Sequence, residues 1–125
     1  MSKRILVVED DYDILCVLTD LLNDEGYEVV GMTYTGSITE SVRESRPDLV
    51  ILDFLLAGVN GGEHCLELKS HPEFSGIPVI LMSGFPRFPE SFGDFGSDAF
   101  IQKPFNIHTV LHVVEVCLAD RHELV

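Results

Sequence analysis

The stretch that decides the fold is DLVILD at residues 48–53, in which four successive apolar residues lie between two aspartates. A strand with one face in solvent alternates apolar and polar residues, whereas a strand covered on both faces is apolar at successive positions. Residues 48–53 therefore predict a buried strand, the third in the chain, that ends at Asp53. Open α/β sheets bind ligands in the crevice beyond the carboxyl ends of their strands, which makes Asp53 a candidate functional residue.

The segments on either side alternate between strand and helix patterns. Short apolar runs predict four further strands, at residues 5–8, 28–32, 78–82 and 99–102. Helical patterns separate the strands and follow the last of them, around residues 12–25, 37–46, 65–68 and 106–118. This alternation predicts an α/β fold, with a parallel sheet and helices on both of its faces. We expect a single domain over residues 1–125, with its core at about residues 3–119.

One segment departs from the alternation. Two prolines and two further glycines lie between Gly84 and Ala99, together with four phenylalanines, where a fourth helix belongs. Proline and glycine at this density oppose a long helix. We expect the fourth helix to be short or disrupted, with one turn at about residues 89–92. Whether the phenylalanines pack against the sheet or form a partner-binding patch stays open.

Charge and hydropathy limit the partners of the chain. The 125 residues include 21 acidic and 8 basic residues, which gives a net charge of −13. Such a surface repels phosphate backbones and anionic membranes, so we expect no direct nucleic-acid binding. No apolar run approaches the roughly 18 residues of a membrane span, and we expect a cytoplasmic protein without membrane insertion. Three widely spaced cysteines indicate reduced packing residues.

The carboxyl ends of the predicted strands carry a polar set. Glu9 and Asp10 follow the first strand, Asp53 ends the third, Ser83 follows the fourth and Lys103 follows the fifth. Clustered carboxylates raise one another's pKa, and a hard divalent cation with oxygen ligands relieves that repulsion. The sequence therefore predicts a Mg²⁺ site at this edge. An aspartate beside Mg²⁺ and a lysine is suited to accept a phosphoryl group.

These residues stand in four short motifs that resemble the signature set of response-regulator receiver domains. The motifs are VEDD at 8–11, LD at 52–53, MSG at 82–84 and KPF at 103–105, in the family's order and spacing. The resemblance covers about residues 3–119. It implies a doubly wound, flavodoxin-like sheet of five parallel strands in the order 2-1-3-4-5. Residues 83–86 and 100–105 are most similar to receivers attached to hybrid histidine kinases. A stand-alone regulator remains the alternative.

The resemblance assigns a role to each residue of the acidic group. Asp53 would be the phosphorylated residue. Asp10 would bind Mg²⁺ directly and Glu9 through water. The main-chain carbonyl of Leu55 would complete the protein's share of the coordination.

The resemblance also assigns the residues around the phosphoryl group. Lys103 would contact its oxygens and Ser83 would be the hydroxyl switch. Phe100 stands at the position of the aromatic switch, and a cis bond would join Lys103 to Pro104.

The implied function is a signalling switch rather than a turnover enzyme. A histidine kinase or a histidine phosphotransfer protein would donate the phosphoryl group from phosphohistidine, and a downstream protein would respond. The alternative is a receiver-like interaction module that is never phosphorylated. An aspartate-nucleophile phosphatase is disfavoured, because Leu55 replaces the second acid that such an enzyme needs. A nucleotide or flavin binder is disfavoured, because the acidic loop after the first strand repels phosphate.

Some positions depart from the family's pattern or have simpler explanations. Ala57 replaces a usual proline, and the disrupted fourth helix argues against a conventional output dimer. Apolar Leu55 and Phe85 predict a long-lived phosphoryl group, because neither side chain orients a nucleophilic water. Asp11 is expected to cap the first helix. His108 and His112 are expected to be solvated or partly packed and not to bind a metal.

Overall fold

The computed structural model describes residues 2–54, 61–84 and 96–123, with the side chains of the last helix described as far as residue 119. Strands and helices alternate along the described chain. Their bounds are β1 Arg4–Val8, α1 Tyr12–Asp24, β2 Glu28–Met32, α2 Ile38–Ser45, β3 Leu49–Asp53, α3 Gly61–Ser70, β4 Val79–Ser83, β5 Ala99–Gln102 and α4 Ile107–Glu123.

The five strands form one sheet in the order β2-β1-β3-β4-β5, and all neighbouring pairs are parallel. The predicted flavodoxin-like topology is therefore confirmed. β3 lies in the middle of the sheet, where Val8 is in register with Leu52 on one side and Asp53 with Met82 on the other. This register brings the carboxyl ends of β1, β3 and β4 side by side.

The core consists of two apolar layers, one on each face of the sheet. Leu49 and Ile51 of β3 join the layer that includes α1 and α4. Val50 and Leu52 join the layer that includes α2 and α3. All four side chains are at most 1% exposed, and each contributes roughly 1.5–3 kcal/mol by leaving water. The prediction that helices cover both faces is confirmed.

Polar side chains cap the first turns of three helices, and one of them is the cap that the sequence predicts at Asp11. The side chain of Asp11 accepts hydrogen bonds from the backbone amides of Asp13 and Ile14, which confirms it as the cap of α1. Ser37 accepts from the amide of Glu40 at α2, and Asn106 accepts from the amide of His108 at α4. These side chains satisfy amides that have no partner within the helix.

The predicted strand limits differ from the observed ones by a single residue where they differ. The third strand begins at Leu49, one residue later than predicted. The carboxylate of Asp48 instead accepts a hydrogen bond from the amide of Arg4 at 2.8 Å. The prediction of a short or disrupted fourth helix falls on residues 85–95, outside the described part of the chain. No helix in the described residues is long and apolar enough to cross a bilayer.

Candidate functional site

Backbone hydrogen bonds align the carboxyl ends of the strands that carry the predicted site. The amide of Glu9 donates to the carbonyl of Met32 at 3.0 Å, and the amide of Phe54 donates to that of Met82 at 2.7 Å. The amide of Lys103 donates to the carbonyl of Ser83 at 2.6 Å. The residues that follow β1, β3 and β5 are thus fixed relative to the neighbouring strands before any side chain is considered.

Three carboxylates meet at this edge. Glu9, Asp10 and Asp53 each place one carboxylate oxygen within 4.8 Å of the other two. Glu9 is 1% exposed and Asp53 is 6% exposed, whereas Asp10 is open to solvent. The arrangement therefore combines two buried acids with one exposed acid, on the side from which a cation would enter.

Lys103 lies between the two buried acids. Its Nζ donates to Glu9 Oε1 at 2.8 Å and lies 3.2 Å from Asp53 Oδ2. The sequence predicts Lys103 as a phosphate partner, but it does not predict this pairing with Glu9. Glu9 and Lys103 are 94 positions apart, and the contact depends on the reach of two long side chains across the edge of the sheet.

The pKa values show that one ammonium does not balance the buried acids. Burial, with a further contribution from the charge of Asp53, raises the pKa of Glu9 from 4.5 to about 7, although Lys103 acts in the opposite direction. Burial also raises the pKa of Asp53. Burial alone would lower the pKa of Lys103, but its contacts with Glu9 and Asp53 raise it. The site therefore holds more negative charge than its own residues stabilise.

One atom of the site is left without a partner among the described residues. Glu9 Oε2 is buried and has no hydrogen-bond donor there, while Oε1 of the same carboxylate is paired with Lys103. A buried carboxylate oxygen without a donor costs free energy unless a donor, a water or a cation reaches it. The all-oxygen acid cluster, together with this atom, fits a hard divalent cation such as Mg²⁺.

Ser83 lies on β4, the strand beside β3, and Phe100 lies on β5, at the edge of the sheet beyond β4. Ser83 is the last residue of β4 and is 1% exposed. Phe100 is partly buried and packs against the apolar layer that includes α2 and α3. The peptide bond between Lys103 and Pro104 is cis, as predicted. The predicted carbonyl ligand, Leu55, lies outside the described residues.

The remaining predicted candidates stay apart from the acid cluster. Asp11 caps α1, as described above, and His108 and His112 are exposed on α4, as predicted. Within the described residues, Glu9, Asp10 and Asp53 form the one group of three metal-ligating side chains. The three cysteines are not joined in disulfides, and Cys65 and Cys117 are buried, in keeping with the predicted packing role.

A family comparison agrees with this fold and this edge. Residues 5–115 match the model of the response regulator receiver domain, so the chain belongs to the response-regulator receiver family of two-component signalling. Receiver domains in general are phospho-acceptor signalling domains rather than turnover enzymes.

Individual relatives support the same assignment. The chain is 36% identical over 107 residues to the DNA-binding response regulator MtrA of Mycolicibacterium paratuberculosis, covering 84% of this chain and 46% of that protein. It is 30% identical over 122 residues to the polar-differentiation response regulator DivK of Brucella anthropi, covering 96% and 99%. The response regulator TrrA of Thermotoga maritima, solved with Mg²⁺ and BeF, superimposes with a TM-score of 0.79 at 28% identity, covering 93% and 99%.

Proposed function

We propose that the chain is a Mg²⁺-dependent phospho-acceptor switch of a two-component phosphorelay, with Asp53 as the acceptor. The observation that carries the proposal is the buried acid pair of Glu9 and Asp53, which is bridged by Lys103 and in which Glu9 Oε2 has no hydrogen-bond partner among the residues that the structure describes. A site that served only to stabilise the fold would not be expected to combine excess buried charge with an orphaned carboxylate oxygen.

Glu9, Asp10 and Asp53 are the residues that would hold the Mg²⁺, with the Leu55 carbonyl as a further predicted ligand. Their oxygens suit a hard cation that keeps several waters. Bound Mg²⁺ would neutralise charge on the transferring phosphoryl group. The TrrA structure, solved with Mg²⁺ and BeF, supports this choice of cation.

The protein's own residues supply the remaining chemistry. A carboxylate oxygen of Asp53 forms the new bond to phosphorus, while the bond from phosphorus to the donor's imidazole nitrogen breaks and the electron pair stays on that nitrogen. Lys103 already lies 3.2 Å from Asp53 Oδ2 and is placed to contact a phosphoryl oxygen. The Ser83 hydroxyl would donate a hydrogen bond to another oxygen. The product is an acyl phosphate on the protein itself, so no turnover is implied.

The donor would be a histidine kinase or a histidine phosphotransfer protein, and phosphorylation would change the binding of a downstream protein. We propose that Ser83 and Phe100 form the switch, because Ser83 ends β4, the strand next to β3, and Phe100 lies on β5, in register with Leu81 of β4. A cytoplasmic location follows from the proposed donors. A long-lived phosphoryl group remains a prediction, since Leu55 and Phe85 both lie outside the described residues.

The test is intact mass spectrometry after incubation with a small acyl-phosphate donor, with and without Mg²⁺. We expect the wild type to gain one phosphoryl group only with Mg²⁺, and Asp53→Asn to gain none. Asp20→Asn is the matched control, because it removes one exposed carboxylate from α1. Its gain should equal that of the wild type.

The competing function is a receiver-like interaction module that is never phosphorylated. That function predicts no adduct from the small donor and none from phosphohistidine on a phosphotransfer protein. Absence of the adduct with both donors, in the presence of Mg²⁺, would reject the switch and leave the interaction module. An adduct that survives Asp53→Asn would reject Asp53 as the acceptor.

A further inference from the structure

The start of α3 lies against the backbone of the proposed acceptor. Gly61 is the first residue of α3, is buried, and donates its amide hydrogen to the carbonyl of Phe54 at 2.8 Å. A Cβ atom at Gly61 would lie 2.0 Å from the carbonyl oxygen of Asp53 and 2.8 Å from its carbonyl carbon. Both atoms belong to the backbone, so no side-chain rotation would relieve the contact.

The size of the overlap sets the displacement that a side chain would require. Contacts to Cβ under 3.0 Å are essentially never found, so the separation from the Asp53 oxygen would have to grow by about 1 Å from its 2.0 Å. The φ angle of Gly61 is not in the left-handed region, and alanine favours helices over glycine. The contact with Asp53 is therefore the specific reason that glycine is needed here.

The displacement would fall on a segment whose other contacts are tight. The amide of Phe54 is held by Met82, and α3 is anchored through buried Cys65 and Leu68. The carboxylate of Asp53, on the same residue as the crowded carbonyl, lies 3.2 Å from Lys103 Nζ. A shift of about 1 Å in the Asp53 peptide would change the position of that carboxylate relative to Lys103.

We propose that Gly61 is a positioning residue for phosphoryl transfer, because it lets α3 approach closely enough to fix the backbone of Asp53. This inference rests on the proposed function of Asp53 as acceptor. Misplacement of a reacting group by 1 Å costs on the order of 100-fold in rate. We therefore expect Gly61→Ala to lower the maximal phosphorylation rate by about that factor.

The test compares Gly61→Ala with Gly76→Ala, because Gly76 has nothing within 4 Å of an added Cβ. Phosphorylation by a small acyl phosphate is followed at saturating Mg²⁺ over a range of donor concentrations. For Gly61→Ala we expect the maximal rate to fall while the half-saturating donor concentration stays near that of the wild type. Gly76→Ala should match the wild type in both. A purely structural role would reduce the folded fraction, which circular dichroism measures, and leave the rate of the folded molecules unchanged.

A second readout separates this inference from the proposed function. The carboxyl ¹³C shift of Asp53, measured without donor, should change in Gly61→Ala and stay constant in Gly76→Ala. Equal Asp53 shifts in all three proteins would overturn the inference, even if phosphorylation failed altogether. Failure of the wild type to react, with a changed Asp53 shift in Gly61→Ala, would instead reject the proposed function and with it a role in phosphoryl transfer, and would leave only the structural result that Gly61 fixes the backbone of Asp53.

If Gly61→Ala does not fold, the inference can be tested on the wild type by NMR. Saturation with Mg²⁺ and beryllofluoride should shift the amide resonance of Gly61, because the Asp53 backbone that Gly61 contacts should respond when beryllofluoride binds at Asp53. The amide resonance of Gly76 should not change. A Gly61 amide that does not respond, in a protein whose Asp53 resonance does, would overturn the inference.

Discussion

Neutralising Glu9 should stabilise the metal-free protein, although it removes one half of a buried ion pair. The pKa of Glu9 is raised from 4.5 to about 7, and this value already includes the opposing effect of Lys103. The charged form of Glu9 therefore destabilises the fold even after the favourable interaction with Lys103 is included. Glu9→Gln keeps the shape of the side chain and removes that charge.

The magnitude follows from the two pKa values. A difference of about 2.5 between the folded and unfolded pKa of Glu9, at about 1.4 kcal/mol for each pKa unit, corresponds to about 3 kcal/mol. This is an upper value, since partial relaxation of the site reduces it. Lys103 keeps a partner in the variant, because Asp53 Oδ2 lies 3.2 Å from its Nζ, so the variant does not leave an isolated buried cation.

The sign also fixes how the effect depends on pH. The folded protein holds the proton of Glu9 more tightly than the unfolded chain does. The stabilisation from that proton is present below the unfolded pKa of 4.5 and is lost as the pH rises through about 7. The difference between Glu9→Gln and the wild type should therefore be small near the lower value and approach its maximum above the higher one.

Urea unfolding followed by circular dichroism, with a chelator present, measures the effect. At about pH 8, where Glu9 is charged, a gain of 3 kcal/mol would raise the urea midpoint by roughly 1–3 M. Glu44→Gln, which removes an exposed charge from α2, is the matched control and should change the midpoint little. An unchanged or lower midpoint for Glu9→Gln at this pH would refute the reasoning, because it would mean that the Lys103 pair outweighs burial.

Two further predictions concern the same end of the molecule. The Mg²⁺ affinity of the wild type, measured by calorimetry, should fall about tenfold from pH 8 to pH 6, because the proton on Glu9 competes with the cation. An affinity that is constant over this range would contradict the assignment of Glu9 to the Mg²⁺ site. Asp11→Ala should lower the free energy of unfolding by about 1 kcal/mol, because it removes the α1 cap; Asp20→Ala is the control. Asp11→Ala should leave the Mg²⁺ affinity close to that of the wild type. A large loss of Mg²⁺ affinity would instead place Asp11 in the metal site.

The fold was predictable because burial leaves a direct pattern in this sequence. β3 is apolar at Leu49, Val50, Ile51 and Leu52, and the structure divides these residues between the two layers of the core. The first residue of β3 was less predictable, because the side chain of Asp48 accepts a hydrogen bond from the amide of Arg4 and the strand begins only at Leu49. That contact depends on which residue the neighbouring strand presents.

The candidate site was predictable for a topological reason. Parallel strands bring their carboxyl ends to one edge, so Glu9, Asp53 and Lys103 meet without any local sequence relation. The pairing inside the site was not predictable in the same way. The contact of Lys103 with Glu9 depends on side-chain length, and the approach of Gly61 to Asp53 depends on how closely α3 packs. Both are tertiary distances that no spacing in the chain encodes.

The same geometry explains why the site is costly to the metal-free fold and suited to its proposed chemistry. Burial of the Glu9 and Asp53 carboxylates costs the metal-free fold free energy, and the single ammonium of Lys103 offsets that cost only in part, as the raised pKa of Glu9 shows. A cation bound beside these carboxylates would offset their charge and so lower that free-energy cost. Because binding and stability are linked, the relief of that cost would also raise the affinity for the cation. Glu9→Gln should therefore gain less stability from Mg²⁺ than the wild type does. If both gained equally, the buried charge of Glu9 would have no part in metal binding, and the excess of acid at this edge would need another explanation.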